Sequence, residues 1–541
     1  MKKILALILA MLMLMSVLSA CGGTETEEPA AAEAPAAETA EEAVVPVAEN
    51  ETAETVTGVS DETLYVVARE EPDHLCALYG TNSETGGILS LAMYDYLLYL
   101  NNETGEFEKS VATDYEWIDD THIRIKIRDD VVAYDGTTIT ANDIMYGLEL
   151  GLAGNNVTSY IMVDPAECYV EDDYTIVLGT TEAYPTMENL MSTSGFLPII
   201  DESSVEAVGG WDVAYREAKI STGRYFLDEW VDGEYIRLVR NDDHWDQENL
   251  PYYKYIEVSF VSDAATRAMA LQSGEANVAM SLTAAQDEAL GSDSVMWYGF
   301  GDASKCIWMN CSEGPLSDER VREAIFWLID NDAIIALCTN GVATPTETQF
   351  STKSFYYAEP PADFERKVDV EKAISLLEEA GYGDGVTIKS FGLQSDQATL
   401  ELIQSMLSAA NISLEIELVE PAAGFSKMGS GDYELYLGAS YGFDPVRVMN
   451  RVDGRIAPAQ AGGGAVYNND ELNALIDVAR ASTDDAERMQ AYADVQHFII
   501  DKTLCIGLYM DCVRFGVNND IGGAVYDGNG YLYLAGLRPT A

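Results

Sequence analysis

The sequence predicts an α/β protein built in more than one lobe, and three observations carry that reading. The chain has 541 residues, too many for one hydrophobic core, so two or three domains are expected. Residues 121–128 (THIRIKIR) alternate apolar and polar side chains as a half-buried strand does, and Asp135-Gly136 follows as turn chemistry. Between residues 369 and 418 the hydrophobic period switches repeatedly between that of a helix and that of a strand, the β-α-β-α-β order of an α/β lobe.

Taken in order, the chain opens with Lys2 and Lys3, an apolar run from Ile4 to Leu18, and then Leu18-Ser19-Ala20-Cys21. That is the layout of a secretory signal over residues 1–20. The tetrapeptide resembles a bacterial lipobox, in which Cys21 is acylated and becomes the first mature residue. Such an anchor holds a protein to a membrane without spanning it. Residues 24–58 carry ten Glu, no Lys or Arg and no aromatic side chain. They bury too little apolar surface to fold, so 21–58 reads as an acidic, disordered tether extended by like charge. No later apolar run reaches the length of a membrane span.

The formal net charge is −60, from 31 Lys and Arg against 91 Asp and Glu, and the ten tether acids leave most of the excess on the folded body. A field of that sign repels nucleic acid and anionic lipid head groups, which excludes those partners. Without Cys21, seven cysteines remain, lacking paired C-x-x-C spacing, and the four histidines have no H-E-x-x-H or EF-hand context. No metal and no cofactor are expected.

In the C-terminal half, Asp369 caps a helix with the apolar face Val370, Ala373, Leu376 and Leu377, and Gly381 ends it. Strand residues Val386 and Ile388 follow, then a helix presenting Leu400, Ile403 and Leu407 and stopped at Asn411. A strand alternates from Ile412 to Leu418, and another runs through Tyr433, Leu435 and Leu437 to Gly438. At its end Gly438-Ala439-Ser440-Tyr441-Gly442 matches G-x-S-x-G, the turn that exposes a hydrolase nucleophile. That turn requires a helix immediately after the serine, with an acid and a histidine downstream. Here Gly442-Phe443-Asp444-Pro445 follows, and the one later histidine, His497, lies in an amphipathic stretch. Catalysis by Ser440 is therefore the alternative reading, and no enzymatic activity is expected.

Several longer segments carry a family resemblance. Residues 94–117 with 127–144 (IRDDVVAYDGTTITANDI), Ser221-Thr-Gly-Arg-Tyr225, Arg240-Asn-Asp-Asp-His-Trp245, residues 270–277 and residues 315–324 (PLSDERVREA) occur in one order. In that order they resemble the solute-binding proteins of ABC importers, in extracellular solute-binding protein family 5, which includes peptide- and nickel-binding members. The resemblance runs from about Leu64 to Val517. It implies a two-lobed, periplasmic-binding-protein-like fold of type II, the large three-domain variant, with hinge strands between lobes that close over a ligand. The implied organisation is an N-terminal lobe over 59–304, with an inserted subdomain at about 94–195, a C-terminal α/β lobe over 305–504, and a return segment over 505–541. Crossings near 305–310 and 503–509 would set Cys306 and Cys505 on neighbouring strands; free thiols are expected there.

The resemblance also implies a site. The strand ending at Ala439 and Ser440 would border the cleft and pair with an extended ligand by strand addition. Tyr441 stands where peptide-binding members keep an aspartate for the ligand's ammonium group, and a phenol is no counter-ion for a buried cation. Asp444, His74, Leu75 and Trp308 are further ligand-contact candidates. The implied partners are a peptide or other small-molecule ligand, an ABC permease and, through Cys21, the membrane, with the protein a monomer on the extracellular face. The other reading weighed is a sensory or adhesive lipoprotein.

Overall fold

The computed structural model describes residues 55–541 except 77, 79–82, 102–103, 154–162, 182, 185, 194–196, 212, 215–218, 287–288 and 441–444. The expected signal, Cys21 and most of the tether lie outside the described residues, as do Tyr441 and Asp444.

The local signals of the C-terminal half appear as read. Asp369 accepts a hydrogen bond from the Lys372 amide and caps the helix Val370–Glu379, and Gly381 (φ +87°) takes the left-handed conformation that ends it. The helix Gln397–Ser408 buries Leu400, Ile403 and Leu407. Asn411 (φ +58°) turns the chain into the strand Ile412–Val419, which pairs in parallel with Val386–Leu393. The strand Leu435–Ser440 begins two residues after the expected Tyr433 and runs past Gly438. Pro445 starts the helix Pro445–Asn450, at a first-turn position where its missing N–H costs nothing.

These strands belong to one large sheet. Its order is Ile412–Val419, Val386–Leu393, Leu435–Ser440, Ser294–Met309, Cys505–Asn518, Val278–Ala279, Thr63–Ala68, Tyr255–Phe260, Tyr235–Arg240 and Tyr225–Val231. A separate four-stranded sheet contains Ala112–Trp117, His122–Ile127, Thr175–Gly179 and Tyr169–Asp172. The buried side chains fall mainly into two cores. One draws on residues from Leu64 to Trp297 and again from Phe515 to Leu537; the other lies wholly between Cys306 and Tyr509.

Two long antiparallel strands pass between the cores. Ser294–Met309 has 16 residues and Cys505–Asn518 has 14. Their pairing shifts register between Phe300 and Ser304 and again between Lys305 and Cys306, so the crossing is irregular where one core gives way to the other. A turn from Asp527 to Tyr531 packs on this crossing: the Asp302 amide donates to the Gly528 carbonyl at 3.0 Å. A Cβ on Gly299 would stand 2.0 Å from the Gly530 carbonyl oxygen, so only glycine fits there.

Candidate functional site

The parallel strands Val386–Leu393, Ile412–Val419 and Leu435–Ser440 point their carboxyl ends the same way. Ligands of open α/β sheets bind outside that edge. Leu435–Ser440 meets Val386–Leu393 only at Leu435 and Tyr436, so its last residues pass beyond that neighbour. On its other side it pairs antiparallel with Ser294–Met309, Ser440 opposite Ser304 and Ala439 opposite Lys305. The Asn310 amide bonds to the Glu434 carbonyl, which fixes the alternation of this ladder. The N–H and C=O of Leu437 and Ala439 therefore turn away from Ser294–Met309.

The carbonyl of Ala439 is not left open. Arg451 Nη1 donates to it at 3.0 Å, and the same guanidinium lies 5.4 Å from the ring centre of Trp308. Arg451 follows the helix Pro445–Asn450, and its own carbonyl accepts the Ala465 amide at 2.8 Å. Gly464 (φ +136°) would press a Cβ to 2.0 Å from that carbonyl oxygen, so a glycine there is what seats Arg451. Sequence reading missed Arg451, because nothing in Asn450-Arg451-Val452-Asp453 sets it apart as a string.

Trp308, expected as a surface for ligand stacking, is fully buried and stacks on Tyr436 at 6.2 Å, and Tyr436 stacks on Phe391 at 5.2 Å. The three rings form a ladder across three adjacent strands, with Tyr433 edge-on to Tyr436. Neither the Trp308 indole N–H nor the Tyr436 hydroxyl has a hydrogen-bond partner among the described residues. Burial raises both phenols, Tyr433 up to about 12, against the opposing pull of Arg451, so both rings stay neutral at physiological pH. The stacking face of Trp308 is thus taken by protein in this conformation.

Ser440 is 1% exposed, and its hydroxyl, like that of Ser304 opposite, has no hydrogen-bond partner among the described residues. A nucleophilic serine needs a base within hydrogen-bond reach, and Ser440 has none among the described residues. His497 bonds instead to the Glu359 carbonyl at 2.9 Å. On the far face of the ladder Lys305 pairs with Asp396 at 2.5 Å, both largely buried.

His74 and Leu75 lie in the other lobe, after the strand Thr63–Ala68. Leu75 has no exposed surface, belongs to the N-terminal core, and its carbonyl accepts from Ser90 at 3.0 Å. Burial holds the half-buried His74 imidazole below its ordinary pKa, with Asp73 opposing. The structure thus gathers Trp308, Ala439 and Ser440 around Arg451 and sets His74 and Leu75 apart from them. None of the seven cysteines among the described residues forms a disulfide. Cys306 stands opposite Gly507 and Cys505 opposite Trp308, a diagonal rather than a facing pair.

Over residues 106–454 the chain matches the family described as bacterial extracellular solute-binding proteins, family 5 Middle. The glutathione-binding protein GsiB of Escherichia coli O1:K1 / APEC is 24% identical over 456 residues, covering 80% of this chain and 86% of that protein. Among solved structures, the substrate-binding protein CtaP of Listeria monocytogenes superposes with a TM-score of 0.77 at 20% identity, covering 89% of this chain and 100% of that one. The periplasmic binding protein DppA of Helicobacter pylori, solved with the peptide STSA, gives 0.75 at 20% identity, covering 88% and 98%. The two-lobed type II fold expected from the sequence is the fold these structures share with this chain.

Proposed function

The chain belongs to the bacterial extracellular solute-binding proteins, family 5, and from that membership we propose that it is the lipid-anchored receptor of an ABC importer. It captures a peptide-like or other small solute by lobe closure and hands it to a membrane permease. The observation that carries the reading is the family match joined to two cores connected by a pair of crossing strands. A ligand that touches both lobes shifts the balance of open and closed forms by its differential affinity for them. Cleavage after residue 20, acylation at Cys21 and a tether over 21–58 place the monomeric receptor on the extracellular face. The lobe boundaries are those of 59–304 and 305–504, with 505–541 returning.

The proposed ligand contacts are Ala439, Ser440, Tyr441 and Asp444 from the C-terminal lobe and His74 from the other lobe. Relatives named for glutathione and for peptides make these the first ligands to try. The test is thermal unfolding of the full chain in detergent against pools of peptides, glutathione, sugars, amines and metal chelates. A ligand at a hundred times its dissociation constant adds about 2.7 kcal/mol, a readily measured shift. Stabilisation by one pool with no turnover of its members supports a receptor. Turnover abolished by Ser440→Ala would instead establish a hydrolase.

A further inference from the structure

The arginines divide by what satisfies them. Many pair with a carboxylate, as Arg224 does with Asp246 and Arg455 with Asp453. Arg267 and Arg322 do not, but main-chain carbonyls fill them: Met280, Val261, Ser262 and Ser281 around Arg267, and Lys502, Thr503, Leu316 and Ser317 around Arg322. Arg451 fits neither group. Of the five N–H donors of a guanidinium, one is used, on the Ala439 carbonyl, and no carboxylate among the described residues pairs with it. In a chain with 91 acidic residues and a net charge of −60, a half-buried cation with no counter-ion among the described residues is conspicuous.

Its surroundings are built to receive an acceptor. Arg451 is held at the carboxyl end of three parallel strands, against the part of the Leu435–Ser440 edge beyond Tyr436, where no strand among the described residues pairs with it. The Ala439 amide turns toward the same open edge. The hydroxyl of the next residue, the buried Ser440, has no partner among the described residues. Under the guanidinium, the fully buried Trp308 supplies a flat support. Guanidinium, main-chain N–H and hydroxyl together form a donor set that suits the two oxygens of a carboxylate. A dianionic phosphate would meet the repulsion of the acidic body twice over.

We infer that Arg451 is the anion anchor of this receptor and that its solute carries a free carboxylate. Because Arg451 already holds the Ala439 carbonyl, the strand edge recognises the ligand's acid group there rather than a ligand N–H. This rests on the receptor reading above and adds the ligand class to it.

The test uses the full chain in detergent and calorimetric titration with paired probes: glutathione, trialanine and N-acetyl-dialanine, each as the free acid and with every carboxylate converted to the amide or ester. The variants are Arg451→Met, which keeps the stem against Trp308 and drops the charge, and Arg451→Lys, which keeps the charge and drops the fork. At least one acid should bind, with its amide or ester weaker by about 10- to 100-fold, the worth of a charge-assisted pair. Arg451→Met should lose the same factor on the acid and nothing on the amide, and Arg451→Lys should fall between.

Equal binding of acid and amide, or an unchanged acid affinity in Arg451→Met, overturns the inference while leaving the receptor reading intact. Inorganic phosphate competing as well as the acid overturns the carboxylate class. No response to any probe, acid or amide, overturns the inference and leaves the receptor reading to the ligand pools named above. If Arg451→Met does not fold, the acid-to-amide ratio of the unmodified chain decides alone.

Discussion

Asp527 sets up a titration that can be read in stability. Its carboxylate is 8% exposed in the turn that packs on the crossing strands. One oxygen accepts from the Asn529 and Tyr531 amides at 2.9 and 2.8 Å, and the other accepts from the Asn529 side chain at 2.9 Å. Burial outweighs those bonds and lifts its pKa from 3.8 to about 6. For an acid raised in this way, the folded state keeps a proton between pH 3.8 and about 6 that the unfolded state has released. Stability therefore falls as pH rises through that window, and the loss is complete above it. A gap of about two pH units at 1.36 kcal/mol each is about 3 kcal/mol. Asp527→Asn cannot titrate, and whatever its amide costs the turn in hydrogen bonds is the same at every pH. The stability of the variant minus that of the wild type should therefore move by about 3 kcal/mol in the variant's favour between about pH 3.5 and about pH 7.5, as read by urea unfolding. A difference flat to within about 0.5 kcal/mol would mean that the carboxylate is not desolvated, and the argument would fail.

Other substitutions probe the crossing and the ring ladder. Gly299→Ala drives a methyl group into the Gly530 carbonyl and should destabilise by about 2 kcal/mol or more, visible as a lowered melting temperature. Asp396→Asn deprives the largely buried Lys305 of its counter-charge and should cost about 3 kcal/mol or more. The double change Lys305→Met with Asp396→Leu should recover most of it in chemical denaturation. Trp308→Ala should cost about 3–5 kcal/mol. Trp308→Phe should cost far less, since the N–H it removes has no partner among the described residues. Ser440→Ala should change stability by less than about 1 kcal/mol for the same reason.

What could be read from the string was what acts locally. Asp369, Gly381 and Asn411 work through a cap or a left-handed residue within a few positions of the helix they end, and the structure keeps each. The crossing strands were harder to read. Gly299, Gly301, Asp302 and Lys305 break the alternation that marks a strand, because that stretch serves two cores and a packed turn at once. Trp308 shows the limit of residue type as a guide. An aromatic side chain beside an expected cleft suggests stacking on a ligand, yet its ring is taken by Tyr436 on the adjacent strand. Arg451 could not be found at all, since what marks it is the lack of a carboxylate partner among the described residues, a property of the packed molecule alone.

The pairing of Ser294–Met309 with Cys505–Asn518 also bears on how the chain acquires its structure. Ser294 and Asn518 are bonded partners 224 positions apart, and Phe515, Val517 and residues 521–537 complete the first core. The N-terminal half therefore waits for nearly the last residues to be made before its sheet can close. The C-terminal core is contained within one stretch of chain and needs no such delay. Contacts so distant in sequence form slowly. Until synthesis is all but finished, the edge of Val278–Ala279 that later receives the returning strand stays uncapped, and the nascent protein is most open to misassociation there.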